Sequence, residues 1–74
     1  MNANDIIKGV YIEFRNDTTE FIMFPSEAYY QKDSNAFVVE ELIDGNANMY
    51  IYPREEVRRF KIEYEGSRSG GING

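Results

Sequence analysis

Residues 49–64, Met-Tyr-Ile-Tyr-Pro-Arg-Glu-Glu-Val-Arg-Arg-Phe-Lys-Ile-Glu-Tyr, decide the fold. Residues 49–52 are mostly apolar or aromatic and predict a short strand. Pro53 suits the first position of a helical turn, which we predict near residues 53–57. Over residues 60–65 apolar and charged side chains alternate, which predicts another strand. A helix beginning at Pro53 is the alternative, since the apolar residues at 57, 60 and 64 also fit helical spacing.

Three further strands are predicted on the N-terminal side of this stretch. Residues 10–15 alternate apolar and polar side chains, and residues 20–24 follow after the turn-forming cluster at 16–18. Residues 37–43 form the next predicted strand. The chain is therefore expected to contain five strands and one helical turn.

Two connections have sequence signals of their own. Pro25 ends the second predicted strand, and Ser26 is expected to cap a single turn that runs through Ala28. Asp44-Gly45 predicts a hairpin, because glycine tolerates the positive φ of a tight connection. The polar residues 46–48 that follow predict a loop longer than two residues.

This order of elements resembles that of the small SH3-like and Sm-like β-barrels. Tyr50-Ile-Tyr-Pro-Arg-Glu-Glu-Val57 is similar to the fourth strand and following 3₁₀ turn of an SH3-type domain, and Gly9-Val-Tyr-Ile-Glu-Phe14 occupies the position of its first strand. The resemblance covers residues 6–64. It implies an all-β, five-stranded, antiparallel, partly open SH3-like barrel, with Tyr11, Tyr52 and Pro53 roughly where a peptide groove would lie.

The chain's length and composition exclude several classes of protein. Its 74 residues make one small domain, predicted over residues 1–65, and the Gly/Ser-rich residues 66–74 predict a disordered tail. A net charge of −5 argues against direct binding to nucleic acid or to an anionic membrane. No apolar run approaches the ~20 residues of a membrane span, and no secretory signal is evident, so we expect a cytoplasmic protein.

Catalytic and metal-binding patterns are not found in the sequence. There is no cysteine and no histidine, which removes the usual nucleophile, general base and metal ligands. The carboxylates of Glu40-Glu41 and of Glu55-Glu56 are adjacent, so on a strand each pair would point to opposite faces. We therefore predict a protein that is not an enzyme and that has no cofactor and no metal.

The chain is rich in aromatic residues, with six Tyr and five Phe. Such an apolar load exceeds what one small barrel interior needs, and aromatic residues are enriched in protein interfaces. We therefore expect a homo-oligomer, most simply a dimer, held by the aromatic residues around 21–24 or 29–30. The full predicted protein interface comprises Phe21, Met23, Phe24, Tyr29, Tyr30, Glu40, Glu41 and Asp44.

Two binding functions and one structural function fit these features. The first is a small acidic inhibitor, of the kind that phages make against host proteins, which docks on a basic surface of a host protein and blocks or sequesters it. That target would be a defence protein or one that handles nucleic acid, and the inhibitor would then act in the host cytoplasm. The second is an oligomeric sponge for a small anionic ligand such as a nucleotide. The third is an accessory oligomer without a ligand. The residues predicted for the anion site are Tyr50, Tyr52, Arg58, Arg59 and Lys61.

Overall fold

The computed structural model describes residues 6–65, and the predicted tail from residue 66 lies outside the described residues. The described chain is all-β with one 3₁₀ turn, as predicted, but it has six strands where the sequence predicted five. In chain order the elements are β1 Ile7–Phe14, β2 Thr19–Met23, β3 Glu27–Gln31, β4 Ala36–Ile43, β5 Asn46–Pro53, the 3₁₀ turn Arg54–Glu56 and β6 Val57–Tyr64.

The strands form two antiparallel three-stranded sheets. Sheet I has the order β2-β1-β6, and sheet II has the order β3-β4-β5. Backbone pairing within each sheet does not close the two sheets into a barrel. The confirmed architecture is therefore a pair of small antiparallel sheets.

The additional strand is β3. The sequence predicted a single turn through Ala28, but Glu27 to Gln31 pair regularly with β4. The chain crosses from sheet I to sheet II within three residues. Phe24 N–H still donates to sheet I, at Lys8 O (3.0 Å), whereas Ser26 N–H already donates to sheet II, at Glu40 O (2.8 Å). Phe24 has φ 49°, a strained value for an aromatic residue, so β2 ends at Met23.

The hairpin between β4 and β5 is tighter than the sequence suggested. Ile43 pairs directly with Asn46, which leaves a loop of two residues, and the predicted longer loop is wrong. Asp44 and Gly45 have φ values of 53° and 82°. Positive φ at both positions is the type I′ geometry, whose twist matches that of the flanking strands, so residues 46–48 continue the strand.

The region after Pro53 forms a turn and a strand. The 3₁₀ turn covers Arg54–Glu56 and β6 begins at Val57, so the alternative of a helix from Pro53 is wrong. Arg54 N–H donates to Asn35 O (3.0 Å) and Arg15 N–H donates to Glu56 O (3.0 Å). These bonds hold the turn between the ends of both sheets.

The core lies between the two sheets. The Phe37 ring of sheet II stacks on the Phe60 ring of sheet I with centroids 4.4 Å apart, and the Phe14 and Tyr52 rings are 5.7 Å apart. Burying each aliphatic side chain here stabilises the fold by about 1.5–3 kcal/mol. The buried members of this cluster are Val10, Ile12, Ile22, Val39, Tyr52 and Val57.

Candidate protein-interaction surface

The outer face of sheet II, turned away from sheet I, carries several apolar side chains. Val39 belongs to the core between the sheets, and successive strand residues point to opposite faces, so Val38 points outward. Its direct partners across the sheet are Tyr29 of β3 and Ile51 of β5. These three side chains form one apolar row across all three strands.

Val38 is 1% exposed although it belongs to the outer face. It is not part of the core cluster, and its cross-strand neighbours on this face are Tyr29 and Ile51. The members around it remain in solvent, with Leu42 61%, Met49 52% and Ile51 62% exposed. On its outer face sheet II thus surrounds the buried Val38 with an exposed apolar rim of Leu42, Met49 and Ile51.

Two carboxylates adjoin this apolar surface. Glu27 of β3 lies directly opposite Glu40 of β4, and Glu40 lies opposite Met49 of β5. Neither carboxylate forms an ion pair within residues 6–65. No Lys or Arg lies on β3, β4 or β5. The outer face therefore carries two negative charges without an internal counter-ion. Like charges opposite each other are unfavourable in a sheet.

Sequence reasoning identified only part of this surface. Of the predicted interface residues, Tyr29 and Glu40 lie on the outer face of sheet II. Alternation places Tyr30 on the opposite face of β3, where its ring is 5.2 Å from that of Phe37 and its hydroxyl donates to Asn35. Glu41 also faces inward and accepts a hydrogen bond from Tyr50 (2.9 Å).

The other predicted interface residues lie elsewhere. Phe21 and Met23 pair with Tyr11 and Gly9 on sheet I, on its face away from the core. Phe24 is at the crossover between the sheets, and Asp44 is in the hairpin loop. The structure does not bring these residues together with Tyr29 and Glu40.

The sequence did not identify five contributors to the outer face: Glu27, Val38, Leu42, Met49 and Ile51. The exposed apolar residues on β4 and β5 could have been predicted. In residues 37–43 and 49–52 both the odd-numbered and the even-numbered positions are mostly apolar, so both faces of each strand carry apolar side chains. Glu27 had none, because its position depends on the pairing of β3.

The residues of the predicted anion site are separated. Tyr50 and Tyr52 lie on the core-facing side of sheet II, and Tyr52 is 8% exposed. Lys61 lies opposite Tyr11 on the far side of sheet I, with Nζ 5.9 Å from the Tyr11 ring centroid and 3.3 Å from Glu63. The tyrosines and this cation therefore face different ways.

The arginines of the predicted anion site have acidic partners. Arg58 contacts Glu13 (2.9 Å) and Asp17 (2.8 Å), and it donates to the carbonyl of Arg15. Arg59 Nε is 3.8 Å from Glu13. Their charge is therefore compensated within the chain.

Comparisons of the chain with protein-family models, with curated proteins and with solved structures gave no match. Within residues 6–65 no group of three or more acidic side chains is placed to hold a metal ion. No helix in this range has the length and apolar character to cross a membrane.

The two tyrosines of β5 have perturbed acidities. Burial, with the negative charge of Glu20 nearby, raises the pKa of Tyr52 well above its ordinary value. The Tyr52 hydroxyl is buried and forms no hydrogen bond of ordinary length, although the Glu20 carboxylate is near enough to act as a weak acceptor. The hydrogen bond to Glu41 raises the pKa of Tyr50. Both phenols therefore hold their protons more tightly than a free tyrosine does.

One cleft lies at the end of sheet I. It has a volume of about 380 Å³ and is lined by Phe14, Arg15, Asn16, Glu55 and Glu56. Arg15 Nε donates to the carbonyl of Glu55 (2.7 Å), which ties the wall at β1 to the 3₁₀ turn. The one cationic side chain among its lining residues is thus already used as a structural contact.

Proposed function

We propose that this protein is a non-enzymatic binding domain that docks the outer face of sheet II on another protein and blocks a basic surface there. The observation that carries the proposal is the Glu27–Glu40 pair beside exposed Leu42, Met49 and Ile51. A partner that presents Lys or Arg next to apolar side chains would bury the apolar rim and neutralise the two carboxylates. This is the small acidic inhibitor predicted from the sequence, with the outer face of sheet II as its proposed binding face.

Charge favours a different protein over a second copy on this face. A two-fold contact of the outer face with itself would bring two Glu27–Glu40 pairs into one interface without a cation. A basic partner instead removes the existing repulsion, and charge complementarity raises the rate of encounter. Exposed apolar groups in contiguous patches are typical of such docking sites.

We also propose that the two sheets represent an SH3-like arrangement in which β2 and β3 are one strand bent at residues 24–26. The support is the crossover itself, where Phe24 bonds to sheet I and Ser26 bonds to sheet II. On that view the fold has five strands, which is the number predicted, although the predicted second strand ended at residue 24 and did not include β3.

Site-specific photocrosslinking in cells tests the binding proposal. A photoreactive residue at position 42, on the central strand of sheet II, is compared with one at position 23 on sheet I, since Leu42 and Met23 are 61% and 62% exposed. We expect position 42 to capture a protein through a peptide that contains Lys or Arg beside apolar residues. Position 23 should not capture it.

The charge requirement is tested in the same experiment. Glu40→Lys should abolish the capture from position 42, and added salt should weaken it, because charges are screened over ~10 Å at 0.1 M salt. Capture that persists in Glu40→Lys, or that occurs from position 23 alone, would contradict the proposal.

A further inference from the structure

We infer that β5 is an open edge through which two copies of this chain pair as antiparallel strands, so that sheet II continues from one copy into the other. This inference does not depend on the basic partner proposed above. It concerns the edge of sheet II, whereas the docking proposal concerns its outer face.

One side of β5 has no strand beside it. In the described part of the chain β5 pairs only with β4. The two-residue type I′ hairpin makes Ile43 and Asn46 a hydrogen-bonded pair, and hydrogen-bonded and non-hydrogen-bonded pairs then alternate along the ladder. The backbone N–H and C=O groups of Ala47, Met49 and Ile51 consequently point away from β4, toward the free side.

This edge lacks the features that usually protect an edge strand. Residues 45–53 contain no charged side chain and are the longest uncharged run in the sequence. The eight residues of β5 pair with β4 in continuous register, without a bulge. Long, regular edges without charge are templates for strand addition, and native proteins normally interrupt them with Lys, Pro or bulges. Pro53, at the end of β5, is the one such residue in the strand.

The other three edges are protected. β2 and β3 have five residues each, with Glu20 in β2 and Glu27 in β3. β6 carries four charged residues between Arg58 and Glu63, and its pairing with β1 has two register shifts. Among the described strands, β5 alone is therefore both long and unguarded.

A second copy fits this edge because β5 is self-complementary under a two-fold axis perpendicular to the sheet. The pleat requires that paired residues share a face, so the register centred on Met49 pairs Ala47 with Ile51 of the second copy. In that register the free backbone N–H and C=O groups of Ala47, Met49 and Ile51 all form hydrogen bonds with the second copy. No like charges meet across it, although the chain has a net charge of −5.

The pairing would also extend the outer face. Met49 and Ile51 lie on that face in each copy, so the exposed apolar rims would join into one surface. Closed two-fold dimers are the commonest oligomers, and they bury edges that would otherwise recruit further strands. The predicted dimer is thereby assigned to β5 and not to the aromatic residues at 21–24 or 29–30.

A single cysteine introduced into this chain, which has none, tests the register. In Met49→Cys the two thiols meet at the axis, where a hydrogen-bonded pair has Cα atoms ~5.5 Å apart, within the range of a disulfide. We expect Met49→Cys to form a disulfide-linked dimer rapidly under mild oxidation. Met23→Cys, on the edge strand of sheet I, is the matched control and should remain largely monomeric.

Light scattering with sedimentation of the unmodified protein and of two lysine variants completes the test. We expect the wild type and Met23→Lys to be dimers and Met49→Lys to be a folded monomer, because like charges would face each other at the axis. Glu40→Lys should remain a dimer, which separates this inference from the docking proposal. A monomeric wild type would overturn the inference, and so would equal cross-linking at positions 49 and 23. The same holds if the β5 amides are protected from hydrogen exchange only when a different protein is added.

Discussion

Glu27 and Glu40 are direct cross-strand partners on the outer face of sheet II, and neither forms an ion pair in residues 6–65. The backbone at this point is well bonded, since Ser26 donates to the Glu40 carbonyl through both its N–H (2.8 Å) and its hydroxyl (3.1 Å). The fold therefore holds these two residues opposite each other across the sheet. Like charges opposite each other lower the stability of the free protein, and a cationic group bound at this surface would relieve that cost.

Removing one of these charges should stabilise the free protein. Like charges opposite each other in a sheet cost roughly 0.2–1 kcal/mol, so Glu27→Gln should raise the free energy of unfolding by an amount in that range at low salt. The gain should shrink at high salt. Glu63→Gln is the control, because Glu63 is paired with Lys61 and its loss should not stabilise. Urea denaturation of the three proteins measures the difference, and an unchanged or lower stability of Glu27→Gln would contradict the repulsion.

Tyr52→Phe should stabilise the fold. The Tyr52 hydroxyl is buried without a hydrogen bond of ordinary length, with the Glu20 carboxylate as a weak acceptor nearby, and a poorly satisfied buried polar group costs about 1–3 kcal/mol. The ring stays in place against Phe14, so removing the oxygen should raise the unfolding free energy by about 1 kcal/mol. Tyr50→Phe is the matched control and should not stabilise, since it removes the hydrogen bond to Glu41. A clear loss of stability in Tyr52→Phe would show that the hydroxyl has a partner in solution.

Alkaline pH should destabilise the protein through the same residue. The pKa of Tyr52 is raised in the fold from its ordinary value of 10.0, by burial first and then by Glu20. Above pH 10 the unfolded chain loses this proton while the folded chain keeps it. Stability therefore falls as pH rises, by up to about 1.4 kcal/mol per pH unit. Denaturation at pH 9 to 11 should show a shallower decline in Tyr52→Phe. Equal slopes in both proteins would contradict this origin.

Arg58→Ala should loosen the turn between β1 and β2. Arg58 contacts Glu13, Asp17 and the carbonyl of Arg15, which together hold that turn against β6. Exposed ion pairs add little to global stability, so the effect should be local. We expect several-fold faster hydrogen exchange at the Asp17 and Thr18 amides and little change in the amides of β4. Arg59→Ala, whose side chain makes one longer contact, should leave the turn unchanged.

Gly9→Ala should conflict with Phe21. A Cβ at position 9 would lie 2.3 Å from Cζ of Phe21, so the ring must move away. Overpacking of this kind costs about 1–3 kcal/mol, and the lower end is expected here because Phe21 is half exposed. In a Phe21→Ala background the same change should cost much less. A double-mutant cycle by urea denaturation measures this coupling, and additive effects would contradict the contact.

Several core positions follow directly from the sequence. The alternation in residues 10–14 and 60–64 correctly assigns Val10, Ile12 and Phe60 to the core-facing side of sheet I. Pro53 correctly predicts the turn that follows β5. These successes share a reason: side-chain direction along a strand depends only on the local backbone, so a period of two is visible in a single chain.

The crossover between the sheets could not be predicted in the same way. It depends on Phe24 with a positive φ, and a phenylalanine gives no sign of this, whereas Gly45 does. Because the bend was hidden, the sequence predicted a turn where β3 forms, and the register of Glu27 with Glu40 was out of reach. The candidate site depends on that register.

An all-β chain with a turn after Pro53 can be predicted from the sequence alone, because alternation and turn chemistry are properties of neighbouring residues. Which apolar face is covered depends on how the two sheets pack. Residues 37–43 are apolar on both parities, and sheet I covers the side of Val39 while the side of Leu42 stays in solvent. Covering a face requires residues distant in sequence, so the exposed face of sheet II and its paired carboxylates become visible only when the sheets are assembled.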